Sequence, residues 1–170
     1  MTENPKVNVQ INYKDLKQQF TAEPQEAWLL LNKFFKELIP SFEIAQKLLL
    51  NIDLQQLAKD MQDIIAYSSD GINLLVPKNK LTDNETLSIW LTAQYLGHKI
   101  GLVKNDSLSK DELQTKLAKS AKITSTRLGE LIKNDIVTKT PDEKYRITTF
   151  GVVQNQKEVI PKIKSKISQN

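Results

Sequence analysis

Apolar and polar residues alternate at Val7, Val9 and Ile11, the period-two pattern of a half-buried strand. Lys14-Asp15 reads as a turn and residues 16–21 as the returning strand, with Leu16 and Phe20 on one face. The period then lengthens. Pro24 suits the first turn of a helix, where its missing N–H has no intrahelical bond to lose, and Trp28, Leu31, Phe35 and Leu38 follow at helical spacing. Pro40 ends that helix, and Ser41 is placed to cap a short second one ending near Leu50. Asp53 with Gln56 has the spacing of a cap for a third helix, to about Ile65. Two apolar runs, residues 64–67 and 72–76, flank Ser68-Ser69-Asp70-Gly71, which predicts a hairpin. Residues 77–81 read as a linker.

Beyond the linker, Thr82 and Glu85 stand at capping-box spacing, and the helix they open runs to about Ile100, where Gly101 can stop it. Leu87, Ile89, Trp90, Leu91, Ala93, Leu96 and Ile100 fall on more than one face, as expected of a centrally buried helix. It is expected to floor a second domain and touch the first. Ser109 and Glu112 form another capping box, opening a short helix with Leu113, Leu117 and Ala118 inward. After a break at Lys119-Ser120-Ala121, a second helix over residues 122–134 has Thr124, Leu128, Leu131 and Ile132 as its core positions. Residues 136–139 and 145–148 are β-prone and flank Thr140-Pro141-Asp142-Glu143, a run of turn formers. The order is helix, turn, helix, strand, turn, strand.

Composition and charge narrow the function. Hydrophobic residues make up 39% and charged residues 26% of the 170, enough to bury a core and remain in solution. Residues 1–99 hold 10 Lys/Arg against 12 Asp/Glu, net −2, whereas residues 100–170 hold 14 against 8, net +6. Basic charge gathered in one half points to a polyanionic partner. With no cysteine and one histidine, thiolate metal sites and disulfides are excluded. Phosphate-loop, G-x-G-x-x-G, H-E-x-x-H and G-x-S-x-G motifs are all absent, so no enzyme activity and no cofactor are expected. His98 reads as structural, Asp60 and Asp63 as a solvated face, Gly97 and Gly101 as close packing plus a helix stop, and Trp28, Trp90 and Phe35 as core. The first ten residues lack a signal-type apolar stretch and no run approaches a membrane span, so a cytoplasmic location is expected.

The run Leu128-Gly129-Glu130-Leu131-Ile132-Lys133-Asn134-Asp135-Ile136-Val137, followed by Tyr145-Arg146-Ile147-Thr148-Thr149-Phe150-Gly151, resembles the winged helix of prokaryotic transcription regulators. The resemblance covers residues 109–151. The whole chain is also similar to archaeal proteins that carry an N-terminal α+β region ahead of such a domain. Docking of the winged-helix kind would place the second helix in the major groove, with Lys122, Ile123, Ser125, Thr126, Arg127 and Glu130 toward the DNA. Arg127 would read a guanine, Ser125 and Thr126 would bond phosphate or base edges, and Lys119 and Lys122 would hold phosphates. Lys110, Lys116, Lys139, Lys144 and Arg146 would extend the footprint, and neutralising ~5 phosphates implies a log–log salt slope of about −4 to −5. The wing tip Pro141-Asp142-Glu143 departs from this pattern, being acidic ahead of Lys144 and Arg146, which weakens the case for wing insertion.

Val153, Ile160 and Ile167 lie seven apart with Gln156 and Ile163 between, a heptad-like stripe interrupted by Pro161. Either this helix packs back on its own domain or it forms a homodimer, and dimerisation is the expectation; Lys157, Lys162, Lys164 and Lys166 make its other face basic. The sequence therefore predicts an α+β protein: an N-terminal α+β domain over residues 1–80, for a ligand or a protein partner, and a winged helix-turn-helix domain over residues 81–170. The expected function is binding of double-stranded DNA in transcription regulation. The rival is a winged-helix module for protein–protein contact without DNA, since fold does not fix function. RNA ranks third, because no aromatic-rich strand platform is visible.

Overall fold

A computed structural model describes residues 5–13, 15–38 and 49–168. The architecture is mixed, with helices and three two-stranded antiparallel sheets among the described residues, consistent with the α+β class. Contacts divide the chain at Leu49/Leu50 into two compact units.

In the first unit, β1 (Val7–Tyr13) and β2 (Leu16–Ala22) pair with Val9 opposite Phe20 and Tyr13 opposite Leu16. α1 (Pro24–Leu38) starts at the proline, whose fixed φ suits a first helical turn, and packs on both strands. Ala27 and Phe34 are its buried residues, and the Phe34 and Phe35 rings meet edge to face at 5.6 Å. Trp28 is 64% exposed and is not a core residue, contrary to its reading from spacing. A two-stranded hairpin can cover only one narrow strip of a helix, and that strip lies to one side of Trp28. Leu16, at the hairpin end, is likewise exposed. The helix expected after Ser41 falls on residues 39–48, outside the described residues.

The second unit begins well before residue 80. α2 (Leu54–Met61) is capped by Asp53, whose carboxylate accepts from the Gln55 and Gln56 N–H groups at 2.9 and 3.0 Å. It stops short of Ile65 because Asp63 takes a left-handed φ of 70° and turns the chain into β3 (Ile65–Ser68). β3 pairs with β4 (Gly71–Leu74), and Gly71 supplies the φ of 114° that the turn requires. Leu57, Met61, Ile64 and Val76 then join one apolar cluster with Leu87, Leu91 and Leu96 of α3 (Asp83–Lys99). These residues have no separate core to bury, which is why the division lies at residue 49 and not at 80. α3 touches α2 and β4, as a helix buried on most sides must.

The cluster continues through α4 (Lys110–Leu117), α5 (Ala121–Lys133), β5 (Val137–Lys139), β6 (Tyr145–Ile147), and α6 (Thr149–Gln154). A π-helical turn (Asn155–Val159) then leads into α7 (Ile160–Ser168). The π turn ends at Val159, one residue short of Pro161, whose lost N–H would otherwise break the helical ladder; the bond from the Ile160 N–H to the Asn155 carbonyl absorbs the irregularity. Asn155 is 1% exposed and donates to Thr92 Oγ1 at 2.7 Å and to the Ser88 carbonyl at 3.3 Å, pinning this turn to α3. Ile160 and Ile163 of the heptad-like stripe are buried in the same unit, while Val153, Gln156 and Ile167 are half-buried.

Thr82 and Glu85 form the reciprocal cap of α3, with bonds of 3.2 and 2.8 Å. Glu85 also meets Lys162 at 3.3 Å and Lys166 at 3.0 Å, fastening α7 to the start of α3. Burial works to raise the Glu85 carboxyl, but the Thr82 N–H and the two lysines outweigh it and its pKa is lowered. The resulting stability is present above the ordinary carboxylate value and is lost as pH falls through the lowered folded one. Glu85→Ala is expected to cost about 2 kcal/mol at neutral pH, mainly through lost charge-assisted hydrogen bonds, and to flatten the acid limb of stability against pH. Urea unfolding at neutral and acid pH measures both.

Candidate nucleic-acid interface

Ser109 opens α4 with a second reciprocal cap, its N–H donating to Glu112 Oε2 at 2.7 Å and its Oγ accepting from the Glu112 N–H at 3.2 Å. Leu113 and Leu117 turn inward. Ala118 does not: it is exposed and ends the helix in the left-handed conformation at φ 56°, which turns the chain at once toward Ser120, the cap of α5. Leu108, just ahead of α4, bridges Tyr145 through paired backbone bonds of 2.8 and 2.9 Å. This bridge, which has no local signal in the sequence, ties the β5–β6 hairpin to the start of α4.

Thr124, Leu128 and Leu131 are the buried face of α5, spaced four and three. Ile132, expected with them, is 37% exposed, because one residue past Leu131 the helix has already rotated its side chain away. Opposite the buried face runs an exposed stripe, Lys122, Thr126, Gly129 and Lys133, spaced four, three and four. Lys133 was not singled out from sequence, although this spacing could have found it. Lys119 lies exposed in the turn. Among the described residues, Lys119, Lys122 and Lys133 have no carboxylate within 4.0 Å.

The other expected contact residues are placed differently. Arg127 donates from Nη1 to both Glu130 oxygens, at 2.9 and 3.1 Å, and from Nε to Asp83 at 3.4 Å. Glu130 also accepts from Asn84 at 2.9 Å, so Arg127 and Glu130 join the side of α5 to the first turn of α3. The Asn84 and Arg127 hydrogen bonds hold the Glu130 carboxyl below its usual value. Ser125 Oγ donates to the Ala121 carbonyl at 2.8 Å and Thr126 Oγ1 to the Lys122 carbonyl at 3.0 Å, so both hydroxyl protons are used within the helix. In the hairpin, Lys139 pairs with Glu143 at 2.8 Å, Lys144 with Asp142 at 3.3 Å, and Arg146 with Asp106 at 3.7 Å. Hydrogen bonds from Thr140 and Lys144 lower Asp142, and Lys139 lowers Glu143. The hairpin tip is therefore charge-compensated. Lys116, half-buried, lies 3.8 Å over the Trp90 ring in a cation–π contact that draws it from the basic face.

His98, read as structural, is exposed at the end of α3. Gly97 is close-packed: a Cβ there would stand 2.7 Å from the Tyr67 ring, whose hydroxyl donates to the Ala93 carbonyl at 2.6 Å. Burial pushes the Tyr67 phenol up to about 12. Among the described residues no cluster of three metal-ligating side chains occurs, and no helix is long and apolar enough to cross a membrane.

No protein family, curated protein or solved structure matches this chain.

Proposed function

We propose that residues 81–170 form a winged helix-turn-helix that binds double-stranded DNA, with α5 as the helix presented to the major groove, in the service of transcription regulation. The observation that carries this reading is the face of α5: an exposed stripe with Lys122 and Lys133, backed by Lys119 in the turn, on a helix set against a hairpin. Arg127 acts in this reading as an internal tie and not as a base reader, and the compensated tip makes the hairpin a support more than an insert. The phosphate count falls from the five expected from sequence to about three, so the log–log slope of affinity against salt is expected near −3. Fluorescence anisotropy of a labelled mixed-sequence duplex, titrated at several salt concentrations, measures that slope; absence of binding at low salt contradicts the reading.

One observation favours the protein-contact alternative. α2, β3 and α3 enclose a shallow apolar groove of about 370 Å³, lined by Met61, Ile65, Tyr67, Leu96 and Ile100 among others. Ile100 is 46% exposed at its rim. Apolar surface left open in this way is typical of a contact site. If this groove is the functional surface, the lysines of α5 are solvated charge and the duplex titration is flat.

A further inference from the structure

Gly129 stands in the middle of α5, on the exposed stripe, and a Cβ built there meets nothing within 4 Å. Glycine inside a helix is less stable than alanine because it loses more backbone freedom on folding. The fold gives two other glycines a steric reason: Gly97 lies against Tyr67, and Gly151 lies against the Ile136 carbonyl. Among the described residues nothing supplies one for Gly129. Its neighbours on the stripe are Lys122 and Thr126 on one side and Lys133 on the other, all exposed. By helical rise the two lysine Cα atoms are about 16 Å apart, and a B-DNA major groove is about 12 Å wide. Flexible lysines at that separation can reach phosphates on both rims.

Resting on the DNA-binding reading, we propose that Gly129 is the point where the backbone of α5 comes closest to the duplex. The missing side chain lets the helix settle into the groove, while Lys122 and Lys133 hold phosphates to either side. A side chain at this position would hold the helix away without disturbing the fold, since the space around it is open.

The test compares wild type, Gly129→Ala and Gly129→Met in thermal unfolding and in anisotropy with a mixed-sequence duplex at about 50 mM salt. Both variants are expected to melt at or above the wild-type temperature, because both replacements are better helix formers. Affinity is expected to fall in the order Gly, Ala, Met, by about tenfold at Met. Variants that bind as tightly as wild type overturn this inference and leave the DNA reading standing. Variants that melt lower than wild type overturn it too, by showing that the fold itself needs the glycine. A wild-type protein that binds no duplex removes the DNA reading and this inference with it.

Discussion

Gly151→Ala is expected to destabilise the second unit by about 3 kcal/mol, the upper range for forced overpacking. A Cβ at this position would stand 2.2 Å from the Ile136 carbonyl oxygen and 2.8 Å from Ile147 Cγ1. The first of these is backbone and cannot swing aside. It is also fixed by its own bonds: Ile136 O accepts from the Thr148 N–H at 3.0 Å and lies 3.3 Å from Thr148 Oγ1. Thr148 Oγ1 in turn accepts from the Gly151 N–H at 2.8 Å, capping α6. Relief therefore requires the start of α6 to lift, drawing fully buried Val152 and the Asn155 bonds with it. Urea unfolding followed by circular dichroism measures the loss. A change below about 1 kcal/mol would mean the site relaxes cheaply and that α6 does not sit this close to the strand. The same replacement at Gly129 is expected to have the opposite sign, which separates steric demand from composition.

The second large effect concerns binding. Replacing Lys119, Lys122 and Lys133 together by alanine is expected to weaken duplex affinity by at least about 30-fold at 0.1 M salt and to bring the salt slope close to zero. Stability should change by no more than about 0.5 kcal/mol, because all three side chains are exposed and none holds a carboxylate among the described residues. Anisotropy across salt together with a thermal melt gives both numbers. Unchanged affinity in the folded triple variant would show that any DNA contact lies elsewhere.

The features legible in the sequence were those set by neighbours along the chain. Thr82 with Glu85 and Ser109 with Glu112 announce their caps because both partners sit within one helical turn. The four-three spacing of Thr124, Leu128 and Leu131 announces the inner face of α5 for the same reason. The hairpin at Gly71 is equally local. What was not legible depends on residues far apart in sequence. Arg127 looked like a free guanidinium, and only folding brings Asp83, at 3.4 Å, and Asn84 to its side of the helix. The stripe Ile160 and Ile163 has the same pattern whether it faces a second chain or α3, and the Glu85–Lys166 and Asn155–Thr92 contacts that hold this segment to α3 have no signal along the chain. Residues 54–76 read as part of an N-terminal domain because their patterns are self-contained, although the core they join is contributed mostly by α3 and later elements. The physical content of the Tyr145 to Gly151 pattern lies in the fold: a threonine that caps a helix and a glycine with no room for a side chain.

The central claim is that α5 presents its Lys122, Thr126, Gly129 and Lys133 face to DNA, and amide chemical-shift mapping tests it most directly. Titrating a mixed-sequence duplex into ¹⁵N-labelled protein is expected to move the amides of Lys119, Lys122, Thr126, Gly129 and Lys133 most. The amides around Met61, Ile65 and Ile100 should stay in place. Shifts confined to those groove residues, or no shifts under low-salt conditions, would contradict the claim.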